Sequence, residues 1–315
     1  MHDTPVHIFS HAILSLLLLW SAPLLASEQY DEIVHEDQVI SIRYHASFTE
    51  AERKMTQQWL KQVTDALLTV YGELPKDDYL ISIERSHSRF SPVPWGHVER
   101  GSPTKVVLVI NPELGYEALI DDWTAFHELS HLLLPYRGRG NIWLSEGLAT
   151  YYQNIIQARS GRFDETEMWN RLAAGFRRGS NEQRWRHINL TEVSDNLGET
   201  RQYMRVHWSG VLYWLTADVE LRRQGKSSLD EVLKQLRDCC EAQSMSAEEI
   251  VNKLDTLIDG KLFVPLFNEF CESYETPKYE TLLVKLGVEQ NRAVGDVSLN
   301  NDANLSDIRR QIYLR

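Results

Sequence analysis

The strongest constraint on this chain comes from residues 123–152, which read WTAFHELSHLLLPYRGRGNIWLSEGLATYY. The segment contains His127, Glu128 and His131 in the pattern H-E-x-x-H, and fourteen residues separate His131 from Glu146. On a helix, His127 and His131 lie four residues apart, so both imidazoles share one face and can bind one metal ion. The Glu128 carboxylate then lies beside them, where it can take a proton from a metal-bound water.

A second helix is predicted at residues 143–158, after a glycine-rich connection, and it carries Glu146. Two histidines and one carboxylate leave the fourth position of a zinc ion open for water, which is typical of a catalytic site. A structural zinc site normally closes all four positions with protein ligands, so that interpretation is less favoured. The first hypothesis is therefore a catalytic zinc centre formed by two helices.

The patterns elsewhere predict an α+β fold. Alternating polar and apolar residues predict strands at 38–45, 79–84 and 105–110, and residues 96–102 lead into an edge strand. Thr49 and Glu52 form a capping-box pattern that starts a helix, and residues beyond 142 are mostly helical. We expect a small mixed β-sheet lobe at 27–120, a mostly α-helical lobe at 121–288 with the zinc site between them, and a polar C-terminal tail at 289–315.

The N-terminus predicts export. Residues 12–20 form a short apolar run, followed by Pro23 and a small-residue site at Ala26 and Ser27. This pattern is typical of a secretory signal peptide at 1–26 and is short for a membrane-spanning helix. We therefore expect a periplasmic or secreted protein, with membrane contact only if the apolar segment stays uncleaved.

The three cysteines leave two alternatives open. In an oxidising compartment Cys271 can pair with Cys239 or Cys240, and otherwise all three remain buried free thiols. The spacing of these cysteines does not resemble a cysteine-based metal site. The net charge of −12 argues against a nucleic-acid partner, because phosphate contacts need a basic face.

The two motifs together resemble a known group of enzymes. HELSH followed by W-x-x-E-G-x-A-x-Y resembles the glutamate-zincins (gluzincins), and within them the aminopeptidase N and glycyl aminopeptidase families. The resemblance implies a thermolysin-like zincin core and a peptide or protein substrate. It also implies His127, His131 and Glu146 as the zinc ligands and Glu128 as general base and acid. The likeness extends over roughly residues 30–288 and is strongest at these two motifs, although the spacing from His131 to Glu146 is shorter than in those families.

One position departs from the pattern. The tyrosine that stabilises the transition state in those families, three residues before a glycine of a long helix, aligns here with His207. An imidazole N–H can hydrogen-bond a developing oxyanion about as well as a phenol. Tyr203, one turn earlier on the same helix face, is the other candidate, and both compete with a simple packing role.

Several polar residues have two interpretations. Glu99 can bind the free amino terminus of a substrate or can be a solvated strand residue. Asp121 or Asp122 can cap the metal helix or orient a zinc-binding histidine. We expect His97 and His187 to lie on the surface.

Two rival functions remain open at this point. The first is a catalytically silent zinc-binding relative that acts as a peptide-binding or scaffold protein of the cell envelope. The second is an envelope interaction protein in which the HELSH sequence is accidental. The sequence does not decide between an aminopeptidase and an endopeptidase.

Overall fold

The computed structural model describes residues 29–36, 38–45, 47–76, 79–225, 227–291 and 295–314. The predicted export signal at 1–26 lies outside these residues. Among the described helices, none combines the length and the apolar composition that crossing a membrane requires.

The N-terminal lobe is built on a five-stranded mixed sheet in the order β1-β2-β3-β5-β4. The strands are β1 Gln29–His35, β2 Gln38–Tyr44, β3 Tyr79–Arg85, β4 Trp95–Glu99 and β5 Thr104–Ile110. The three central strands β2, β3 and β5 run parallel, and β1 and β4 pair antiparallel at the two edges. The predicted strands and the edge strand are confirmed, whereas β1 was missed because its residues are mostly polar and only Ile33 is buried.

The rest of the chain is mostly helical. The helices are α1 Glu50–Leu68, α2 Gly115–Asp121, α3 Thr124–Ser130, α4 Ile142–Arg159, α5 Glu165–Asn181, α6 Leu190–Asp195, α7 Leu197–Thr200, α8 Tyr203–Arg223, α9 Leu229–Cys240, α10 Ala247–Leu257, α11 Phe263–Cys271, α12 Glu280–Lys285 and α13 Ser306–Leu314. Reciprocal capping boxes start α1, α9 and α10, because Thr49, Ser228 and Ser246 each bond the glutamate three residues on.

Helices α4 and α8 cross at close range through two glycines. A Cβ atom added at Gly147 would lie 2.3 Å from the Gly210 backbone, and one added at Gly210 would lie 2.2 Å from the Trp143 carbonyl oxygen. Trp214 on α8 also donates its indole N–H to the Leu144 carbonyl at 2.8 Å. The crossing therefore fixes α8, which carries His207, directly against α4, which carries Glu146.

The C-terminal segment is folded and does not form the polar tail that we expected. Strands β6 Val288–Gln290 and β7 Val297–Leu299 form a hairpin, and α13 follows it. Arg309 on α13 is almost fully buried and pairs with Glu165 at 2.7 Å. The Ile312 carbonyl accepts a hydrogen bond from Arg159 at the end of α4. These long-range contacts, which the local sequence does not show, attach the segment to the helical lobe.

The cysteines follow neither of the two alternatives in full. The disulfide joins the neighbouring residues Cys239 and Cys240 at the end of α9, and Cys271 is a half-buried free thiol at the end of α11.

The glycine crossing predicts a selective loss of stability. Gly147→Ala places a methyl group against backbone that cannot rotate away, and we expect a loss of about 1–3 kcal/mol in the free energy of unfolding. Gly198→Ala is the matched control, because a Cβ there meets no atom within 4 Å. Urea unfolding measures both, and equal midpoints for the two variants would contradict the close crossing.

Candidate metal centre

The HELSH segment begins as α3 and changes its geometry at the second histidine. The α-helix ends at Ser130, and residues His131–Leu133 form one 3-10 turn before Pro135. His131 therefore lies on a 3-10 turn that directly continues the α-helix carrying His127 and Glu128. Asp122 accepts the Thr124 backbone N–H at 2.7 Å and so caps α3, whereas Asp121 pairs with Arg162 at 2.8 Å. These contacts favour capping for Asp122 and a surface ion pair for Asp121.

Three imidazoles converge on one carboxylate oxygen of Glu146. The Nε2 atoms of His127, His131 and His207 lie 3.2, 3.6 and 3.6 Å from Glu146 Oε2. The ligand atoms of His127, Glu146 and His207 also lie within 4.8 Å of one another. The four predicted residues, from α3, its 3-10 turn, α4 and α8, are thus brought together.

The other nitrogen of each imidazole contacts a side chain of α4, the helix that carries Glu146. His127 Nδ1 lies 2.8 Å from Gln153 Oε1, His131 Nδ1 lies 3.0 Å from Ser145 Oγ, and His207 Nδ1 lies 3.1 Å from Thr150 Oγ1. When Nδ1–H donates to these oxygens, the Nε2 lone pairs are free to bind a cation.

These three partners were missed in the sequence. Thr150 and Gln153 follow Glu146 by four and seven residues, so these two side chains lie on the same helix face as Glu146, whereas Ser145 directly precedes Glu146. The signal that could have found them is this polar stripe in an otherwise apolar, buried helix.

The electrostatics of the four groups suit a bound cation. Burial lowers the pKa of His131 to about 3 and the pKa of His207 to about 4, so both are neutral and keep lone pairs. Burial also lowers the pKa of His127, but its hydrogen bond to Glu146 and the charge of that carboxylate outweigh burial, and the net shift is upward. Burial opposes ionisation of Glu146, yet the positive charge that the neighbouring imidazoles carry when protonated, together with the His127 hydrogen bond, holds the pKa of Glu146 well below its usual range.

Glu128 lies beside this cluster, against the edge strand β4. A Cβ added at Gly96 would lie 2.7 Å from Glu128 Cγ, so only glycine permits this approach. Burial raises the pKa of Glu128 to about 7. Arg100, next to the end of β4, donates to the His131 and Leu134 carbonyl oxygens at 3.2 and 3.3 Å. These two bonds join the edge of the sheet to the end of the metal helix.

A cavity of about 710 Å³ opens onto the cluster. Its lining includes Tyr203, whose side chain is 47% exposed, and His97, which we had expected on the open surface. Glu99 is outside this lining and bonds Lys105 at 3.2 Å. The structure therefore brings Tyr203 and His207 into the site and leaves Glu99 at the solvent-facing side of β4.

The cluster fits a divalent metal. Two or three neutral imidazoles and one carboxylate are the donor set that zinc prefers. The contacts to Gln153, Ser145 and Thr150 are of the kind that orients histidines at metal sites. Such convergence would not be expected if HELSH were accidental, so it argues against the envelope interaction protein.

Comparisons with known proteins agree with this site. Residues 137–219, which include Glu146 and His207, match the family model of M61 glycyl aminopeptidase. A search of curated proteins found no match.

Solved structures show a similar fold. An aminopeptidase N family protein from Idiomarina loihiensis has a TM-score of 0.61 and 16% identity, over 83% of this chain and 49% of that one. A mutant M1 zinc metallopeptidase from Deinococcus radiodurans has a TM-score of 0.51 and 14% identity, over 80% of this chain and 53% of that one. The chain thus spans about half the length of these proteins. The α+β fold and the resemblance to gluzincin aminopeptidases are confirmed.

The contact between His127 and Gln153 predicts a change in metal affinity. Gln153→Ala removes the acceptor that orients the ring, and we expect zinc affinity to fall by about 10–100-fold. Gln153→Glu keeps an acceptor at this position and should retain tight binding. Competition with a chromogenic chelator measures both, and unchanged affinity in Gln153→Ala would contradict the orienting role.

Proposed function

We propose that this chain is a zinc-dependent peptidase that hydrolyses peptide bonds in the cavity between its two lobes. The observation that carries the proposal is the convergence of His127, His131 and Glu146 beside the buried Glu128 carboxylate. The similarity to the M61 glycyl aminopeptidase model and to the fold of zinc metallopeptidases supports it.

Each residue of the site has a role that follows from its position. His127, His131 and Glu146 would hold zinc, which when bound supplies an activated water and polarises the scissile carbonyl. Glu128 takes the proton of the attacking water as general base and delivers it to the leaving amine as general acid. Tyr203 or His207, both in the cavity wall, donates a hydrogen bond to the oxyanion.

The position of Glu99 bears on where a substrate is cut. An aminopeptidase needs an anionic group that binds the ammonium of the substrate, and Glu99 was the candidate on β4. Its carboxylate is about half exposed, bonds Lys105 and does not line the cavity. We therefore propose that Glu99 does not recognise a free amino terminus.

The substrates would be peptides or proteins outside the cytoplasm. This part of the proposal rests on the export signal predicted at residues 1–26. The net charge of −12 favours peptides over nucleic acids as ligands.

The role of Glu128 predicts a loss of turnover without a loss of metal. Glu128→Gln removes the base, so kcat/KM should fall by about 10²–10⁴-fold or more while zinc content stays unchanged. Hydrolysis of a mixed peptide library, followed by mass spectrometry, measures this. Glu99→Gln makes the same chemical change on an exposed carboxylate and should keep full activity.

Two results would contradict this assignment. Substantial turnover by Glu128→Gln would remove Glu128 from the mechanism. A wild-type protein that binds zinc and cleaves no peptide in the library would favour the silent scaffold protein instead.

The position of Glu99 predicts that its charge does not set a preference for free amino termini. The ratio of kcat/KM for peptides of one sequence with free and acetylated amino termini should change by less than about fivefold in Glu99→Gln, because an exposed ion pair contributes at most about 1 kcal/mol. The cleavage products separate the two modes, since an endopeptidase releases internal fragments. If acetylation abolishes cleavage and Glu99→Gln does the same for free peptides, this part of the proposal is wrong.

A further inference from the structure

His207 lies with respect to Glu146 in the same way as the metal-helix histidines do. Its Nε2 atom lies 3.6 Å from Glu146 Oε2, the same distance as that of His131. We propose that His207 is a direct ligand of the metal, so that the centre has three histidines and one glutamate. This inference deepens the proposed function, because it concerns the same site and rests on its metal.

The separations from Glu146 suit ligands of one ion. With zinc–nitrogen and zinc–oxygen bonds of about 2.0–2.1 Å, neighbouring ligand atoms in a tetrahedral site lie about 3.3 Å apart. The three separations from Glu146 Oε2, at 3.2, 3.6 and 3.6 Å, lie close to this value. The ligand atoms of His127, Glu146 and His207 also lie within 4.8 Å of one another, whereas His131 is outside this group and would have to move closer to join the other three around one ion.

The orientation of the His207 ring agrees with this role. Its Nδ1 lies 3.1 Å from Thr150 Oγ1. The Nδ1 atoms of the other two imidazoles make the corresponding contacts with Gln153 and Ser145. The His207 ring is stacked nearly parallel to that of His127, with an interplanar angle of 13° and centroids 5.7 Å apart. The close crossing at Gly147 and Gly210 holds the helix that carries this ring directly against the helix that carries Glu146.

With His207 as a metal ligand, only one of the two candidates for the oxyanion donor remains. His207 belongs to the metal, and Tyr203 becomes the hydrogen-bond donor to the oxyanion. The Tyr203 side chain is 47% exposed in the cavity, and the described residues provide no protein partner for its hydroxyl. With four protein ligands the water of the proposed function would take a fifth position, a coordination number that catalytic zinc sites reach in the transition state.

Metal affinity tests the assignment. His207→Phe keeps a ring of similar shape but removes the donor atom, and we expect zinc affinity to fall by at least about 100-fold, since loss of an outer hydrogen bond alone costs about 10–100-fold. Tyr203→Phe is the matched control on the same helix face and should bind zinc as wild type does. Thr150→Val should give a smaller loss, by way of His207.

X-ray absorption at the zinc edge tests the same point in the wild-type protein, so the test does not depend on how a variant folds. We expect imidazole scattering from three histidines in the wild-type and Tyr203→Phe proteins and from two in His207→Phe. Two imidazoles in the wild type, or wild-type zinc affinity in a folded His207→Phe protein, would overturn the proposal. Neither readout needs turnover, so the two proposals fail separately. Three imidazoles on zinc without hydrolysis would refute the peptidase but support His207 as a ligand. Hydrolysis with only two imidazoles on zinc would support the peptidase but refute His207 as a ligand.

Discussion

The centre depends on one carboxylate, that of Glu146, being held among three imidazoles. A carboxylate that is largely removed from water is costly unless charged or hydrogen-bonding partners surround it. Here the partners come from three separate elements, and the crossing at Gly147 and Gly210 brings the third of them within reach. The geometry of the site therefore depends on the packing of these two glycines, because a larger residue at the crossing would move His207 away from Glu146.

Helix α4 acts as the template for the centre. It supplies the carboxylate, and three of its other side chains fix the three imidazole rings through Nδ1. The helix itself is anchored at its far end, where Arg159 binds the C-terminal helix α13 and Asp230. Residues far from the site, including the segment that we expected to be a tail, thereby hold the template in place.

The sequence predicted the parts of this centre that follow from local spacing. The i, i+4 histidines, the W-x-x-E-G motif and the capping boxes each depend on neighbours along the chain, and all of these local patterns were found. Ser145, Thr150 and Gln153 were missed, because their role depends on which rings α3 and α8 bring to them. The disulfide between the neighbouring residues Cys239 and Cys240 was also missed. Strand β1 was missed because its mostly polar residues carry no alternation strong enough to predict a strand.

The most direct test of the central claim is the zinc content of the purified protein and of its Glu146→Ala variant. If this carboxylate unites the centre, the wild type holds one zinc ion per chain after dialysis and Glu146→Ala holds almost none, although the variant still folds. Equal zinc content in the two folded proteins would contradict the account.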